Sequence, residues 1–395
     1  MSYVIIGNSA AGIFAAEAIR RHDKEQPLVM LSDEPYKAYA RCLTSYYISG
    51  EASEKNMYLR PDNFYEKMGI DFHPNQKVVS IDPDRKQVVT DKGDTYSYGK
   101  LLVATGASPT FPDLDNIDQQ NVFALRTLDD AKRIAGFAEE GKMAVILGGG
   151  LVSLKAAAAL RKKGVNVTVL VSSNRVLSQI LDEEAAAIVE SKLLEELKIS
   201  VFKEIAPAMI HNFPADFILV GKGVKANTEF LRETGLVNKP GEPLKVNATQ
   251  ETKIPHIYAA GDAALSFDIA QEDYVHNAIW PNAAEQGAAA GTNMAGVKKN
   301  HAGSIKMNSA VFGDLSIMTA GITMPKDSGY KVIIESNVNR RYYKKLVLAG
   351  DVLVGYILVG DTSRGGVYTG LIKSKTRIKD LKKLAQKPGY LAGPK

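Results

Sequence analysis

The sequence predicts an α/β protein with two Rossmann-like units and a smaller C-terminal α+β domain. In YVIIGNSAAGIFAAEAIRR, a β-rich strand, a glycine turn and an alanine-rich helix follow one another. The same order recurs in MAVILGGGLVSLKAAAALRKKG, and this context separates a nucleotide fold from a chance glycine run. Near the chain end, YKKLVLAGDVLVGYILVGDT predicts a hairpin with a Gly350-Asp351 turn. A length of 395 residues suits two or three domains.

The first glycine turn has the residues that a pyrophosphate site needs. Gly7 makes the tight turn, and Gly12 lets the helix lie close to the strand. Ser9 stands where a middle glycine is usual, and its side chain is small enough for backbone to approach a phosphate. The helix N-terminus then faces the phosphates with unpaired N–H groups and a positive dipole end. The other positions expected at this site are Asn8, Ala10 and Ala11.

A second strand, PLVMLSDE, ends in two carboxylates about 20 residues after the turn. A carboxylate at this place in the fold accepts the hydroxyls of the nucleotide ribose. We prefer Glu34 for this role, although a shift of one residue would select Asp33 instead. A polar loop without a ligand is the structural alternative.

The second unit repeats the pattern, which argues for a second bound dinucleotide. We predict a strand over Val145–Leu147, a helix over Leu151–Lys162 and a further strand in VNVTVLV. A repeated structural unit without a ligand is the alternative. The positions expected at this second dinucleotide are Gly148, Gly149, Gly150, Leu151 and Val152.

The second unit also departs from the usual fingerprint. Ser153 stands at the last fingerprint glycine. After the next strand, Ser172 occupies the acidic position and is followed by SNR, which includes Arg175. Without a carboxylate there, nothing favours the 2′-hydroxyl of NADH over the 2′-phosphate of NADPH. The choice between the two therefore stays open.

Two further strand-then-glycine segments, LLVATGASP and TKIPHIYAAGDAA, complete a set of four ordered motifs. With them, the chain resembles the two-dinucleotide-binding flavoproteins of the pyridine-nucleotide-disulfide oxidoreductase superfamily. The resemblance implies an FAD domain that is split in sequence, over residues 1–112 and 246–300. It implies an NAD(P)H domain inserted at residues 113–245 and an interface domain at 301–395.

The resemblance also implies roles for particular residues. Asp262 would hydrogen-bond the ribityl or pyrophosphate region of FAD, with a helix N-cap as the structural alternative. Val79 would touch the adenine through its backbone, and Arg126 would lie near the FAD phosphates, with a surface ion pair as its alternative. The residues expected close to FAD on the same basis are Ala104, Thr105, Gly106 and Gly261.

Two segments resemble one branch of the superfamily, the rubredoxin reductases and the large subunits of NADH-dependent nitrite reductases. In AYARCLTSYY, the resemblance implies that Arg41 reaches the flavin ring. WPNAAEQGAAAGTNMAG, which starts at Trp280, would also contact the cofactor. Flavin subunits of anaerobic multi-subunit oxidoreductases are similar too. A rubredoxin- or ferredoxin-like protein, or an iron–sulfur or metal-containing subunit, is thus the implied electron partner.

Two departures from the family affect the second unit. Lys155 replaces a glutamate that the family usually has near flavin and nicotinamide. If Lys155 and Arg41 both approached the ring, they would favour negative charge on it; an exposed helix lysine is the alternative. Between Val201 and Asp216 the chain is too short for the usual three-stranded meander. ILVGKGVKAN still provides Gly221 and Gly223, expected beside the nicotinamide half.

Cys42 is the single cysteine of the chain, and two roles are open for it. Relatives that reduce CoA disulfide, peroxide or oxygen carry a redox cysteine four residues before a tyrosine, and Cys42 and Tyr46 have that spacing. Arg41 would favour the reactive thiolate. However, Leu-Thr-Ser follows Cys42 instead of Gly-Leu-Pro. We therefore favour a packed, inert cysteine.

Three functions remain in view. We predict an FAD-dependent NAD(P)H oxidoreductase that passes hydride between nicotinamide and flavin and electrons between flavin and a redox protein or partner subunit. The alternatives are a single-cysteine CoA-disulfide or persulfide reductase or NADH oxidase, and a non-catalytic flavin-binding assembly subunit. A homo-oligomer is possible in each case.

Charge and cysteine content limit the partners and the compartment. A net charge of +5 is too small to imply nucleic acid, and we find no apolar run that could span a bilayer. One cysteine excludes an internal disulfide and suits a reducing compartment. The histidines have no metal-ligand spacing, and the first residues, MSYVIIG, are unlike a signal peptide. We therefore predict a cytoplasmic protein without a metal. A basic cluster near the C-terminus is either a solvated face, which we favour, or a docking site for an acidic partner: Lys373, Lys375, Arg377, Lys379, Lys382, Lys383 and Lys387.

Overall fold

The computed structural model describes residues 2–113, 119–326 and 328–380. Its α-helices are α1 (Ala10–His22), α2 (Thr44–Ser49), α3 (Glu54–Met57), α4 (Phe64–Lys67), α5 (Leu128–Phe137), α6 (Leu151–Lys162), α7 (Glu183–Glu195), α8 (Trp280–Met294) and α9 (Gly365–Lys373). Its strands are β1 (Tyr3–Ile6), β2 (Leu28–Leu31), β3 (Ile70–His73), β4 (Val78–Asp82), β5 (Gln87–Thr90), β6 (Thr95–Ser97), β7 (Lys100–Val103), β8 (Ala107–Pro109), β9 (Val122–Ala124), β10 (Met143–Leu147), β11 (Asn166–Val171), β12 (Ser200–Lys203), β13 (Phe217–Val220), β14 (Val224–Ala226), β15 (Ile257–Ala259), β16 (Ser266–Asp268), β17 (Asp273–Val275), β18 (Met307–Phe312), β19 (Leu315–Gly321), β20 (Tyr330–Asn337), β21 (Tyr342–Ala349) and β22 (Val352–Val359).

The first parallel sheet has the order β15-β7-β1-β2-β3. Its central strand, β1, is a run of four buried apolar residues, as expected for a parallel strand that is covered on both faces. Strand β15 pairs with β7 although residues 104–256 separate the two strands. The predicted split of this domain around an insertion is therefore confirmed, while its exact boundaries stay a prediction.

Helices α1 and α8 pack against each other at backbone distance. A side chain on Gly287 would overlap with the carbonyl of Ala11, and one on Gly291 would overlap with that of Ala15. Both glycines therefore allow an approach that any larger residue would prevent. This contact joins the two sequence segments of the split domain.

The second parallel sheet has the order β12-β11-β10-β13-β9. The observed bounds of α6 are those predicted from the sequence, and β10 begins two residues earlier than predicted. Between β12 and β13 the chain forms a 3-10 helix at Pro207–Asn212 and no strand; every residue of this segment is among those described. The predicted loss of the meander is confirmed. Strand β14 pairs with β8 and so connects this unit to the first one.

The C-terminal domain contains an antiparallel sheet of order β18-β19-β22-β21-β20, with α9 packed on it. The predicted hairpin is present, because Ala349 pairs with Val352 around Gly350 and Asp351, and Gly350 has a φ of 59°. Side chains from β18, β19, β21 and β22 share one apolar cluster with α7 of the second unit.

An ionic contact fixes the same face of the C-terminal sheet. Asp182 caps α7 and accepts hydrogen bonds from the Tyr343 hydroxyl at 2.7 Å and from Lys345 Nζ at 2.9 Å. The C-terminal sheet is therefore held against the second unit by both apolar and ionic contacts.

The described part of the basic cluster is largely paired within the chain. Lys373 contacts Glu285 at 2.9 Å, Lys375 contacts Glu272, and Arg377 lies 3.8 Å from Asp351. Of the rest, Lys379 is exposed. These intramolecular pairs agree better with a solvated face than with a docking site. The remaining cations of the cluster lie outside the described residues: Lys382, Lys383 and Lys387.

Candidate functional site

A cavity of about 1260 Å³ opens where the two Rossmann-like units meet. This volume exceeds the range of about 300–1000 Å³ that holds most small ligands. The first glycine turn, the carboxyl end of β2, the loop after β7 and the start of α8 line it together with α6. The residues predicted at FAD that line this cavity are Gly7, Asn8, Ser9, Ala10, Ala11, Glu34, Arg41, Val79, Ala104, Thr105, Gly106, Arg126, Gly261, Asp262 and Trp280.

The first glycine turn is packed too closely against backbone to accept a side chain. Gly7 has a φ of 115°, and a Cβ on it would overlap with the carbonyl of Ala104. Gly12 lies beneath the turn, where a Cβ would overlap with the carbonyl of Gly7. Ser9 caps α1 without a side-chain hydrogen bond to the helix. The first N–H groups of α1 therefore lack a side-chain cap, and the turn fits a dinucleotide phosphate.

Glu34 belongs to a hydrogen-bonded group at the edge of the cavity. Its carboxylate pairs with the Arg41 guanidinium and accepts a 2.5 Å hydrogen bond from the Tyr39 hydroxyl. That hydroxyl accepts in turn from the Leu128 N–H at 2.9 Å. Burial lowers the pKa of Arg41, but Tyr39 and Glu34 outweigh it, so the pKa is raised. For Tyr39, burial raises the pKa of the hydroxyl. The hydroxyl therefore keeps its proton and donates a hydrogen bond to Glu34.

The contacts of Arg41 are close to the glycine turn. Its Nε lies 3.4 Å from the hydroxyl of Ser9, and its Nη1 donates to the carbonyl of Arg126 at 3.3 Å. This position is next to the predicted phosphate and ribose contacts. The predicted reach of Arg41 to the flavin ring stays a prediction.

Arg126 and Asp262 form an ion pair at 2.7 Å within the cavity wall. The Asp262 side chain is 13% exposed, and its carboxylate binds Arg126 instead of capping a helix. The N–H of Arg126 donates to Asp130, which together with Thr127 forms a capping box at the start of α5. The backbone beside Arg126 is therefore fixed. The structure shows neither the N-cap alternative for Asp262 nor the surface alternative for Arg126.

Cys42 is exposed, and it lines the cavity. The prediction of a packed cysteine was therefore wrong about its burial. It failed because Cys42 lies on a 3-10 helix, Arg41–Leu43, in which no residue is fully buried. A redox role for Cys42 stays a prediction.

Lys155 lies on the face of α6 that borders the cavity. Its Nζ is 4.8 Å from the centre of the Tyr46 ring, a cation–π contact between the second unit and α2 of the first. Lys155 is half-buried, which differs from the exposed helix lysine that was the alternative. Its proximity to a flavin ring stays a prediction.

The second glycine turn has the same geometry as the first. Gly148 has a φ of 118°, and a Cβ on it would overlap with the carbonyl of Gly221. Ser153 is fully buried where the fingerprint has glycine, and its hydroxyl lies close to Gly221 but has no hydrogen-bond partner among the described residues. Gly150 is the N-cap of α6 and has no side chain to cap the helix. The turn therefore fits a second dinucleotide.

The remaining residues predicted at the second dinucleotide occupy different places. Leu151 and Val152 line the cavity. Ser172 follows β11 and is exposed, but Arg175 donates to the carbonyls of Leu181 at 3.0 Å and Ser178 at 3.4 Å. The Arg175 guanidinium thus binds its own loop. The predicted residues outside the cavity wall are Gly148, Gly149, Gly150, Ser172, Arg175, Gly221 and Gly223.

Sequence reasoning missed three features of this region. The Tyr39 contacts had no sequence signal: its hydroxyl donates to Glu34 within the same loop and accepts from the N–H of Leu128, which is far away in the chain. The capping box had one, since TLDD has a threonine followed three residues later by an acid. Lys222 also had a sequence signal, because it is a cation between two glycines in VGKG. Its Nζ donates to Ser172 Oγ at 2.7 Å.

Three further observations bear on the site. His276 Nε2 lies 2.8 Å from the Asp262 carbonyl, which agrees with a structural role. Among the residues that the structure describes, no group of histidine, cysteine, aspartate or glutamate is placed to hold a metal. In that same part of the chain, none of the helices is long and apolar enough to cross a membrane.

Two dinucleotide folds that open on one cavity define an oxidoreductase in which a flavin and a nicotinamide nucleotide exchange hydride. The chain belongs to the pyridine nucleotide-disulphide oxidoreductase family, which it matches over residues 1–287. Residues 310–376 match a second family, described as the rubredoxin NAD⁺ reductase C-terminal domain. The predicted family, fold, enzyme class and cofactors, FAD and NAD(P)H, are confirmed.

Three relatives show how widely this chain architecture is used. The NADH-dependent phenylglyoxylate dehydrogenase subunit epsilon of Aromatoleum evansii is 31% identical over 96% of this chain and 93% of its own length. The assimilatory nitrate reductase electron transfer subunit of Bacillus subtilis is 30% identical over 91% of this chain, which spans only 47% of that protein. The CoA-dependent NAD(P)H sulfur oxidoreductase of Pyrococcus furiosus is 30% identical over 86% of this chain and 81% of its own length.

A solved structure has the same fold over nearly all of this chain. The NADH:rubredoxin oxidoreductase of Clostridium acetobutylicum is 25% identical, with a TM-score of 0.82. The match covers 96% of this chain and 97% of that one.

Proposed function

We propose that this chain oxidises NADH or NADPH with a bound FAD and delivers the electrons singly to a separate redox protein or metal-containing partner subunit. One observation carries the proposal: both Rossmann-like units contribute to one cavity. Lys155, from the helix after the second glycine turn, lines the same space as Ser9 and Asp262. Hydride transfer needs this arrangement, because the two reacting rings must come into contact.

The residues of the chain would bind and orient the two nucleotides. FAD supplies the chemistry, since it accepts a hydride and can release its two electrons one at a time. Arg41 and Arg126 would bind phosphate near the first glycine turn, and Glu34 would accept a ribose hydroxyl. Lys155, with its ammonium fixed over Tyr46, would place positive charge at the boundary between the two units. These roles follow from the positions of the side chains in the cavity wall.

Two observations support a separate electron acceptor. The chain has a single cysteine, so it cannot form the internal dithiol that would accept two electrons. Its C-terminal domain matches a family named for rubredoxin reductases, and one relative is named as an electron transfer subunit. A rubredoxin- or ferredoxin-like protein, or an iron–sulfur subunit, fits both observations. A homo-oligomer and a cytoplasmic location stay predictions.

The test is an anaerobic titration of the FAD-loaded protein. NADH or NADPH is added and flavin absorbance is recorded; a rubredoxin or a [2Fe–2S] ferredoxin is then supplied as acceptor. We expect the flavin to bleach and at least one protein acceptor to be reduced. A flavin that neither nucleotide bleaches would contradict the proposal. Bleaching without reduction of any protein acceptor, together with turnover of a disulfide or of oxygen, would support the second candidate instead.

The second candidate is a single-cysteine reductase that acts on a CoA disulfide, a persulfide or oxygen. The exposure of Cys42 within the cavity wall favours it, since a reactive thiolate must be accessible. The variant Cys42→Ser separates the two candidates. If Cys42 is the redox centre, the variant loses disulfide turnover and any thiolate-to-flavin charge-transfer band, while flavin bleaching persists. Equal turnover in both proteins would exclude this role.

The prediction of a non-catalytic assembly subunit has less support. It rested on Ser153, Lys155 and the missing meander. The second turn closes with Ser153 buried beside Gly221, and the five-stranded sheet of that unit forms without the meander. The family match to oxidoreductases also favours an enzyme.

A further inference from the structure

Lys222 lies across the opening of the second glycine turn. It follows β13, whereas its hydrogen-bond partner Ser172 follows β11. Strand β10 lies between these two strands, and Leu147 at its end pairs with both Leu170 and Val220. The 2.7 Å bond from Lys222 Nζ to Ser172 Oγ therefore spans the end of β10, where the turn at Gly148 begins.

The ammonium of Lys222 lacks an acidic partner among the described residues. Its side chain is half-buried, and burial lowers its pKa. The Ser172 hydroxyl donates to the carbonyl of Ile205 at 3.1 Å, so towards Lys222 it acts as an acceptor. Two nearby cations already have partners within the chain: Lys203 pairs with Glu190, and Arg175 donates to carbonyls of its own loop. An unpaired, partly desolvated cation at this place is suited to an anion.

We propose that Lys222 and Ser172 bind the 2′-phosphate of NADPH and so make this chain prefer NADPH to NADH. The residue after the second strand of a dinucleotide unit lies at the adenosine ribose. A carboxylate at that position binds the 2′-hydroxyl of NADH, whereas a cation beside it accommodates the 2′-phosphate. Here the position is Ser172, and the cation is Lys222. The inference rests on the proposed oxidation of NAD(P)H and names the nucleotide.

The competing arrangement is a contact between Lys222 and the pyrophosphate. NADH and NADPH share that group, so such a contact would strengthen both without distinguishing them. A comparison of the oxidised nucleotides therefore separates the two arrangements, and it needs no turnover.

The experiment measures equilibrium binding of NADP⁺ and NAD⁺ to the FAD-loaded full chain by calorimetry. The wild type should bind NADP⁺ more tightly. We expect Lys222→Gln to weaken NADP⁺ binding by about 10-fold to 100-fold, as for one lost charge-assisted hydrogen bond. NAD⁺ binding should change less than about twofold, and the salt dependence of NADP⁺ binding should decrease. Lys203→Gln, on β12 beside the strand that precedes Ser172, is the matched control for total charge and should change neither affinity.

Two more variants keep the test independent of folding. Lys222→Arg retains the charge and should keep the preference for NADP⁺. Ser172→Asp adds a carboxylate that repels the 2′-phosphate and should reverse the preference. Equal losses for both nucleotides in Lys222→Gln, or no loss for either, would overturn the inference. After either of these results, the proposed function would still hold if NADH or NADPH bleaches the flavin. A wild type that binds neither nucleotide would contradict both the inference and the proposed function.

Discussion

The carboxylate of Glu34 offers a direct test of the predicted FAD site. We predict that Glu34→Gln weakens FAD binding, whereas Asp33→Asn, at the adjacent carboxylate, has little effect. The sequence did not decide between these two adjacent carboxylates. In the structure, only Glu34 is half-buried and bonded to Arg41 and Tyr39. Asp33 is exposed and contributes only a distant attraction to Arg41.

The structure sets the size of the expected effect. The Glu34 carboxylate accepts two hydrogen bonds, one of them from a guanidinium, and a glutamine can replace only one of them well. These two bonds orient the carboxylate. The predicted bond from the ribose hydroxyl to this charged group would contribute about 1.5–3 kcal/mol, and a loss of about 2 kcal/mol corresponds to about 30-fold in Kd. Removal of an exposed charge such as Asp33 costs about 0–1 kcal/mol, which is no more than about fivefold.

The assay is titration of the apoprotein with FAD, followed by the quenching of flavin fluorescence. The wild type and both variants are measured in one buffer, and far-UV circular dichroism checks that each apoprotein is folded. If Asp33→Asn weakens FAD binding as much as Glu34→Gln or more, Asp33 is the ribose ligand. In that case the interpretation of the Glu34, Arg41 and Tyr39 contacts as part of the FAD site fails.

Two further predictions concern stability. A methyl group at Gly12 would overlap with the carbonyl of Gly7, so Gly12→Ala should abolish FAD binding or folding. Its control is Gly136→Ala, which lies in open space on α5 and should stabilise the chain by about 0.5–1 kcal/mol. Thermal unfolding and FAD retention are measured for both variants. Burial alone raises the pKa of Asp182, but its bonds to Lys345 and Tyr343 outweigh burial and hold the pKa below 3.8. Because the folded-state pKa is depressed, this stabilisation is present above about pH 4 and is lost as pH falls further. Asp182→Asn should leave Lys345 unpaired and lower the free energy of unfolding by about 2–3 kcal/mol at neutral pH. It should also make the stability less dependent on pH at the acidic end of a denaturation series. An unchanged acid limb would contradict the assignment.

The fold could be predicted almost completely from the sequence because its signals are local. Strand runs such as Tyr3–Ile6, the positive-φ glycines and the alanine-rich helices each specify structure within a few residues. Even the bounds of Leu151–Lys162 were correct. The order of the motifs, combined with the resemblance, then supplied the split domain.

The site was less predictable, because its contacts join distant segments. The Tyr39 hydroxyl, which binds the nearby Glu34, also accepts from the N–H of Leu128, and no spacing rule reports that second contact. Arg175 is at the place in the sequence that the fingerprint indicates, but its guanidinium binds its own loop, so its predicted contact with the nucleotide stays a prediction. Burial of Cys42 was misjudged because a lone cysteine favours the core on average, whereas this one is on a short surface helix.

The glycine contacts between α1 and α8 determine when the first unit can be completed during synthesis. Residues 23–279 separate the two helices, and the face of α1 at Ala11 and Ala15 lies against Gly287 and Gly291. Until the ribosome has made α8, this face of α1 lacks the helix that packs on it in the finished fold. The inserted unit, by contrast, is continuous in sequence, and its sheet can form before α8 is made. The half of the enzyme that begins the chain is therefore the one that finishes folding later, and a truncation before Trp280 would leave it without α8.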